Sequence, residues 1–372
     1  MNKEYEKLLD KLFTLEQTKD YTLDKIKKAT FLLWNPQNKF KIIHVAWTNG
    51  KWSVSKMCFS ILRHAWKKVW VFTSPHLITI RERFESSNWK ISEEDFVDIV
   101  KKILKLDIDL SYFEYCVLIA LLYFEKENCE YVILEVWVWW TLDTTNIVNP
   151  VITTICSIWM DHQHILWNTI DEISSQKAWI IKENIPVVLN FRNKIIEKKA
   201  KKENSRIIFT NNKTKTNLLW DFQKSNASLA YEICNYLWIP ETIITEGLQI
   251  VNHLWRMQFV SSNLLIDWAH NEDSLNKLKE YVDNELEWKF DKINYCFWLK
   301  KNKEINIVTD IFWENKNYIL VDIKNSMLED LTKYKDKFPL KTKENIIKLS
   351  DKNKHSLYVV FGSLYMIWEF LK

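Results

Sequence analysis

Apolar residues along this chain recur with two different periods in turn, and the alternation predicts strands and helices one after another. The apolar run Lys39–Ala46 (KFKIIHVA) predicts a buried strand. The spacing of Val54, Met57, Cys58, Ile61 and Leu62 predicts a helix over Val54–Ala65. Lys68–Phe72 reads as a second strand, Phe113–Glu125 as a helix, and Tyr131–Val136 as the strand it feeds. Val151–Ile158, Ile170–Ile181 and Pro186–Leu189 read as strand, helix and short strand, followed by a helix over Asn217–Leu237. Glu197–Lys202 and Asn211–Lys215 are charged or polar and read as loop. Strands alternating with helices imply a parallel sheet covered on both faces, an α/β fold.

Periodicity fades over Glu246–Trp255, which places a domain boundary there: residues 1–250 in a first domain, 251–372 in a second. The second reads as a smaller α/β unit. Its expected strands are Leu264–Ile266, Ile293–Phe297, Ile305–Val308, Tyr318–Val321 and Ser356–Phe361, with helices near Ser274–Leu286 and Leu340–Leu349. A chain of 372 residues, 47% hydrophobic and 27% charged, has ample material for two cores. No apolar run reaches the roughly 18 residues of a membrane span. Met1–Asp10 is charged and lacks the apolar centre of a signal peptide. The net charge of +4 comes from interspersed residues of both signs and is too mild to argue for nucleic acid. Cys58, Cys116, Cys129, Cys156, Cys234 and Cys296 form no C-x-x-C pair, and most sit in apolar runs, as reduced thiols of a cytoplasmic protein do.

One feature of the composition changes how every motif is read. Glycine occurs 3 times and tryptophan 20 times. Average glycine usage is about 7%, and the two counts together come close to it. The positions agree. Trp238 after Leu237 and Trp66 after Ala65 close helical patterns, where a C-terminal glycine is common. Trp137, Trp139 and Trp140 crowd a strand-to-loop junction that one indole would fill. Tight turns need positive φ, which tryptophan disfavours. We read most tryptophans as standing at glycine positions, through UGA codons that the organism reads as glycine. The alternative is a genuinely tryptophan-rich chain.

With glycine at Trp47 and Trp52, the segment His44-Val45-Ala46-Trp47-Thr48-Asn49-Gly50-Lys51-Trp52-Ser53 becomes HVAGTNGKGS, between a strand and a helix. That is the context of a phosphate loop. Loop N–H groups and the helix N-terminus would face phosphate oxygens. Lys51 would reach the β/γ-phosphates, and the Ser53 hydroxyl would approach Mg²⁺. As printed, the Gly50-Lys51 pair alone is equally compatible with a surface turn. Glu135 ends a strand just before a glycine-type loop, and ligands collect at the C-terminal ends of parallel strands; a strand-end salt bridge is the plain alternative. His162-Gln163-His164 has no cysteine partner nearby, which argues against zinc.

From about Leu33 onward the chain resembles the folylpolyglutamate synthase/dihydrofolate synthase family, a branch of the Mur ligase group. The resemblance rests on separated blocks in shared order, with tryptophan read as glycine. They are Leu33–Gln37, the phosphate loop, Thr73–Leu77, Leu134–Asn146, Ser157–His162, Gln176–Lys182, Leu265–Asn271 and Phe361–Tyr365.

The resemblance implies a parallel-sheet P-loop ATPase domain followed by a smaller Rossmann-like α/β domain. It implies an ATP-dependent ligase adding L-glutamate to dihydropteroate or folate through an acyl phosphate. ATP would contact Asn49, Gly50, Lys51, Trp52 and Ser53, with Asn226 at the adenine, Arg256 at the phosphates and Asp267 from the second domain. Mg²⁺ would be held by Ser74, Glu135 and His162. Lys177 matches a lysine carried as a carbamate near the metal. His270 and Asn271 would line the glutamate side. Catalytic roles thus fall to Lys51, Lys177 and His270. The folate side would use Ser111, Tyr112, Phe113 and Glu114 with Leu142, Asp143 and Thr144. The chain departs from the family at Phe222, where histidine is common, and at Thr141, where arginine is usual. The implied protein is a monomer with small-molecule partners only, neither nucleic acid nor membrane. A Mur-type ligase of a cell-wall precursor shares the ATP parts. An inactive nucleotide-binding relative follows if the tryptophans are genuine.

Overall fold

The computed structural model describes residues 3–15, 22–46, 50–76, 79–86, 90–137, 141–158, 169–210, 214–218, 221–251, 257–298, 306–312, 317–323, 334–362 and 370. The chain divides into two units, Met1–Asn252 and His253–Lys372.

The first unit opens with helices α1 (Lys3–Phe13) and α2 (Asp24–Leu32), then β1 (Lys41–Ala46), whose residues 42–46 are all buried. There follow α3 (Lys51–His64), β2 (Val69–Phe72), β3 (Phe84–Ser86), α4 (Glu93–Leu104), α5 (Tyr112–Lys126), β4 (Tyr131–Glu135), β5 (Ile152–Ile155) and α6 (Ile170–Lys177). β6 (Val187–Leu189), α7 (Lys194–Lys202), β7 (Ile207–Phe209), α8 (Asp221–Tyr236) and α9 (Glu241–Gln249) complete it. Among the described residues, seven strands form a sheet in the order β3-β2-β4-β1-β5-β6-β7, parallel except for the β2–β3 pair. One face carries a core built on α1, α4 and α5, including Tyr5, Phe96 and Phe124. The other carries α3, α8 and α9, including Met57, Ile61, Ile233 and Ile244. Gly247 lets α9 approach α3 closely, since a Cβ there would lie 2.7 Å from the Ile61 Cα. β4 and β5 flank β1 on opposite sides, so the connections diverge there. Such a switch point opens a crevice at the strands' C-terminal ends.

The second unit contains β8 (Gln258–Ser261), β9 (Leu264–Ile266), α10 (Glu272–Tyr281), β10 (Lys292–Phe297), α11 (Asn306–Ile311), β11 (Tyr318–Asp322), β12 (Leu340–Thr342), α12 (Lys343–Lys352) and β13 (Ser356–Phe361). Its described sheet runs β12-β11-β10-β13-β9-β8, parallel except for β8–β9. Both units are therefore α/β with mainly parallel sheets, the expected class.

Local expectations fail at four places. The charged stretch 197–202 lies in helix α7. The Asn193 side chain caps it by accepting from the N–H groups of Ile195 and Ile196, and Ile196 and Ala200, four apart, bury a narrow stripe. Glu246 belongs to α9, which ends at Gln249. Residues 306–308 of the expected strand Ile305–Val308 belong to α11, where Val308 is buried one turn before the buried Phe312 that follows the helix; a run so short fits strand or helix equally. Residues 340–342 pair as β12 before α12 begins. Residues 211–213 of the expected Asn211–Lys215 loop lie outside the described residues.

Among the described residues, five helices end with the same pair of hydrogen bonds. After α2, the Trp34 N–H reaches the Phe31 carbonyl and the Asn35 N–H reaches Thr30. α3 repeats this with Trp66 and Lys67, α8 with Trp238 and Ile239, α5 with Asn128 and Cys129, and α7 with Asn204 and Ser205. This is the Schellman termination, which puts one residue in the left-handed region. That residue is asparagine twice (φ 52° and 48°) and tryptophan three times (φ 64°, 58° and 62°). Asparagine tolerates the conformation; an indole-bearing residue does not do so readily.

Candidate active site

The elements of the first unit deliver their polar residues to one edge of the sheet. Gly50 caps α3 in the left-handed region at φ 93°, with Lys51 as the first helical residue. A Cβ at Gly50 would sit 3.0 Å from the Asn226 Oδ1, so α8 lays an amide directly against the loop. The Asn226 Nδ2 donates to the Gln223 Oε1 at 3.0 Å, and the Gln223 Nε2 donates to the Ser53 Oγ at 3.2 Å. Gly50, Lys51, Ser53 and Asn226 thus converge. Trp52, the second residue of α3, has its ring 5.9 Å from the Lys56 Nζ.

Glu135 ends β4, 2% exposed. The Lys51 Nζ lies 3.9 Å from its Oε1, and the Ser74 N–H donates to its Oε2 at 3.4 Å. Burial pushes the Glu135 carboxyl up to about 7, opposed by Lys51, the Ser74 N–H, Arg83 and Lys56. Ser74 follows β2, and its buried Oγ has no hydrogen-bond partner among the described residues. A buried carboxylate beside an unsatisfied hydroxyl is an oxygen-donor set suited to a hard divalent cation. Among the described residues no group of three His, Cys, Asp or Glu side chains is poised to hold a metal. Asn49, His162 and Arg256 lie outside the described residues.

Lys177 closes α6 with 1% exposure, and its Nζ donates to the Ser157 carbonyl at 3.0 Å. A surface lysine is not what stands here. Burial, with Lys199 and Lys27 nearby, lowers the Lys182 pKa to about 8, and its Nζ donates to the Asn146 carbonyl.

The residues assigned to the folate side divide by what they touch. Ser111 and Glu114 cap α5 reciprocally, with the Glu114 carboxylate accepting from both the Ser111 N–H and hydroxyl at 2.8 Å. Tyr112 stacks on Phe13 at 5.6 Å, and Phe113 lies 5.6 Å from the Trp137 ring. Leu142 is 40% exposed, while Thr144 is buried. Asp143 is buried and accepts from the Trp137 N–H at 2.7 Å, the Thr145 N–H at 2.9 Å and the Thr145 hydroxyl at 2.6 Å. Because the Thr145 hydroxyl donates to Asp143, it accepts from the His44 Nε2–H at 2.9 Å. Burial, with Lys182, drives the His44 pKa down to about 3, so the imidazole is neutral. This chain of bonds ties the 137–145 loop to β1.

In the second unit, Asp267 directly follows β9. Its carboxylate accepts from the Ala269 N–H at 2.7 Å and the Met257 N–H at 3.0 Å. His270 is exposed, and Asn271 caps α10.

Sequence reasoning passes over one group. Arg83 is 4% exposed, its Nε donates to the His76 Nδ1 at 2.9 Å, and its charge acts on Glu135. Its only signal in the sequence is proximity to the Thr73–Leu77 block.

No protein-family model matches the chain. Over 94% of both sequences it is 28% identical to the dihydrofolate synthase/folylpolyglutamate synthase of Bacillus subtilis. It is also 28% identical to the dihydrofolate synthetase of Saccharomyces cerevisiae, over 71% of this chain and 72% of that one. The folylpolyglutamate synthase of Thermotoga maritima superposes with a TM-score of 0.85 at 24% identity, covering 99% of this chain and 96% of that one. A bifunctional folylpolyglutamate synthase/dihydrofolate synthase of Yersinia pestis, solved with AMPPNP and manganese, superposes at 0.88 with 22% identity over 99% and 97%. Along nearly its whole length the chain is similar in sequence to proteins named dihydrofolate synthase/folylpolyglutamate synthase, and it has the fold of solved folylpolyglutamate synthases.

Proposed function

We propose that this protein is an ATP-dependent ligase that joins L-glutamate to dihydropteroate or a folate-type acid, activating the acid as an acyl phosphate. The observation that carries the proposal is the meeting of Gly50, Lys51, Ser53, Asn226, Ser74 and Glu135 at one sheet edge. Backbone at Gly50 and the α3 N-terminus receives the nucleotide's phosphates, and Asn226 lies against the same turn. Lys51 offsets charge on the transferring phosphoryl group. Glu135 and the Ser74 hydroxyl would hold Mg²⁺, with His162 as the third ligand implied by the resemblance; the ion would supply charge neutralisation at the phosphates.

Lys177 is buried beside the Ser157 carbonyl, and the resemblance assigns it a role near that centre. Arg256 and Asp267 are assigned to the nucleotide, and His270 with Asn271 to glutamate. Phe113, Leu142 and Thr144 are assigned to the acid substrate, and Asp143 shapes their loop. We further read the protein as a cytoplasmic monomer. Six buried free thiols suit a reducing compartment, and among the described residues no helix is long and apolar enough to cross a membrane.

The test supplies ATP, Mg²⁺ and glutamate with either dihydropteroate or a muramyl peptide acid. ADP release and a glutamylated product with the pteroate acid support the reading. Turnover with the muramyl acid alone sinks it. Mass photometry checks the monomer.

A further inference from the structure

We propose that Arg83 binds the carboxylate of the acid substrate and so acts as a substrate-contacting residue outside every block that carries the resemblance. The inference rests on the ligase reading above and assigns one more residue within that site.

Arg83 ends a short 3₁₀ turn, Ile80–Arg83, that leads into β3. Almost wholly buried charges in proteins are paired. Among the described residues, however, Arg83 forms no ion pair with a carboxylate. Its Nε is held by the His76 Nδ1 at 2.9 Å, and its Nη1 is buried with no hydrogen-bond partner. His76 supplies no countercharge there, since its Nδ1 lone pair is what accepts the Arg83 N–H. The guanidinium carbon lies 5.7 Å from the Tyr112 ring and 5.4 Å from the Trp137 ring. Aromatic faces recover part of the desolvation of a cation, but they leave its N–H donors unsatisfied. A planar anion is what the free edge lacks, and carboxylate matches the guanidinium fork.

The place fits this use. The Thr73 N–H donates to the Arg83 carbonyl at 3.3 Å, which sets the residue's backbone beside Ser74. The Trp137 indole stands between two groups, 5.6 Å from the Phe113 ring and 5.4 Å from the guanidinium. With glycine at position 137, the space the indole fills becomes open to an aryl ring. An acid whose carboxylate is carried on an aromatic ring would place the ring against Phe113 and the carboxylate at the Arg83 Nη1.

The experiment uses the full chain made with glycine at the tryptophan positions read as glycine. Equilibrium binding of pteroate and of pteroate carboxamide is measured by pterin fluorescence, without ATP or glutamate. The unaltered protein is expected to prefer the carboxylate. R83Q is expected to lose about 10- to 100-fold in affinity for the carboxylate and to bind both compounds alike, with the KM for ATP unchanged within about twofold. R83K, which keeps the charge and loses the fork, is expected to fall several-fold with an unchanged Tm, and it stands in should R83Q fail to fold. Undiminished carboxylate preference in these variants, or a loss confined to ATP, overturns the assignment while leaving the ligase reading intact. A protein that binds neither compound and ligates neither overturns both.

Discussion

Three of the five Schellman terminations carry tryptophan in the left-handed position, and replacing all three tests how the chain is encoded. Trp34, Trp66 and Trp238 are 85%, 94% and 92% exposed, so their indoles contribute almost no packing at these positions. What remains is the conformational cost of a Cβ at φ 64°, 58° and 62°. That cost is about 1–2 kcal/mol per residue, reduced by roughly 0.5–1 kcal/mol for the greater freedom of an unfolded glycine. The variant W34G/W66G/W238G should therefore gain about 1 kcal/mol per site and ~3 kcal/mol in total. For a folding unit of this size that corresponds to a Tm increase of roughly 6–12 °C, read by calorimetry or by circular dichroism. Glycine at Asn128 and Asn204, in the same slot after α5 and α7, serves as the control and should change Tm much less, because asparagine already tolerates the conformation. A triple variant no more stable than the parent refutes the reasoning. So would an intact mass of the native protein that matches twenty tryptophans.

Further outcomes follow from single residues. K51M removes the cation 3.9 Å from Glu135 at the proposed phosphoryl site, and kcat/KM should fall by ~10²–10³ with Tm little changed; near-normal turnover contradicts the role of Lys51. His44 is neutral in the fold, with its pKa lowered from 6.5 to about 3, so its contribution to stability is present above pH 6.5 and is lost as pH falls towards 3. At 1.36 kcal/mol per unit that loss is on the order of 5 kcal/mol, and H44Q, titrated by urea unfolding across this window, should show a flatter acid limb. At Gly362, with φ at +120°, a Cβ would lie 2.0 Å from the Trp298 carbonyl oxygen, so G362A should lose roughly 3 kcal/mol or more in chemical denaturation.

Much of the fold was legible because strong periodic runs set it. β1, β4, β10 and β13 are nearly continuous apolar segments, and each lies within a residue or two of where the pattern puts it. The failures share a cause. α7 is mostly lysine, and only a cap and two buried residues one turn apart betray it. α11 and β12 are too short for either period to declare itself. In the candidate site, Gly50, Lys51 and Ser53 are neighbours in sequence and were readable as a motif. The approach of Asn226 to Gly50 is a tertiary fact that local pattern does not show; the resemblance assigned Asn226 only to the adenine. Arg83 escaped because a buried guanidinium looks like any surface arginine until its surroundings are known. The bonding of Asp143 was hidden for the same reason: its three donors come from both ends of a loop.

The central claim is that the protein activates a pteroate-type acid by phosphorylating its carboxylate. The most direct measurement incubates the glycine-containing protein with ATP, Mg²⁺, glutamate and dihydropteroate labelled with ¹⁸O in its carboxylate, and follows the label by mass spectrometry of the released phosphate. The account predicts one ¹⁸O atom in each phosphate, in step with the glutamylated product. Phosphate that carries only unlabelled oxygen, or ADP formed without any glutamylated acid, contradicts it.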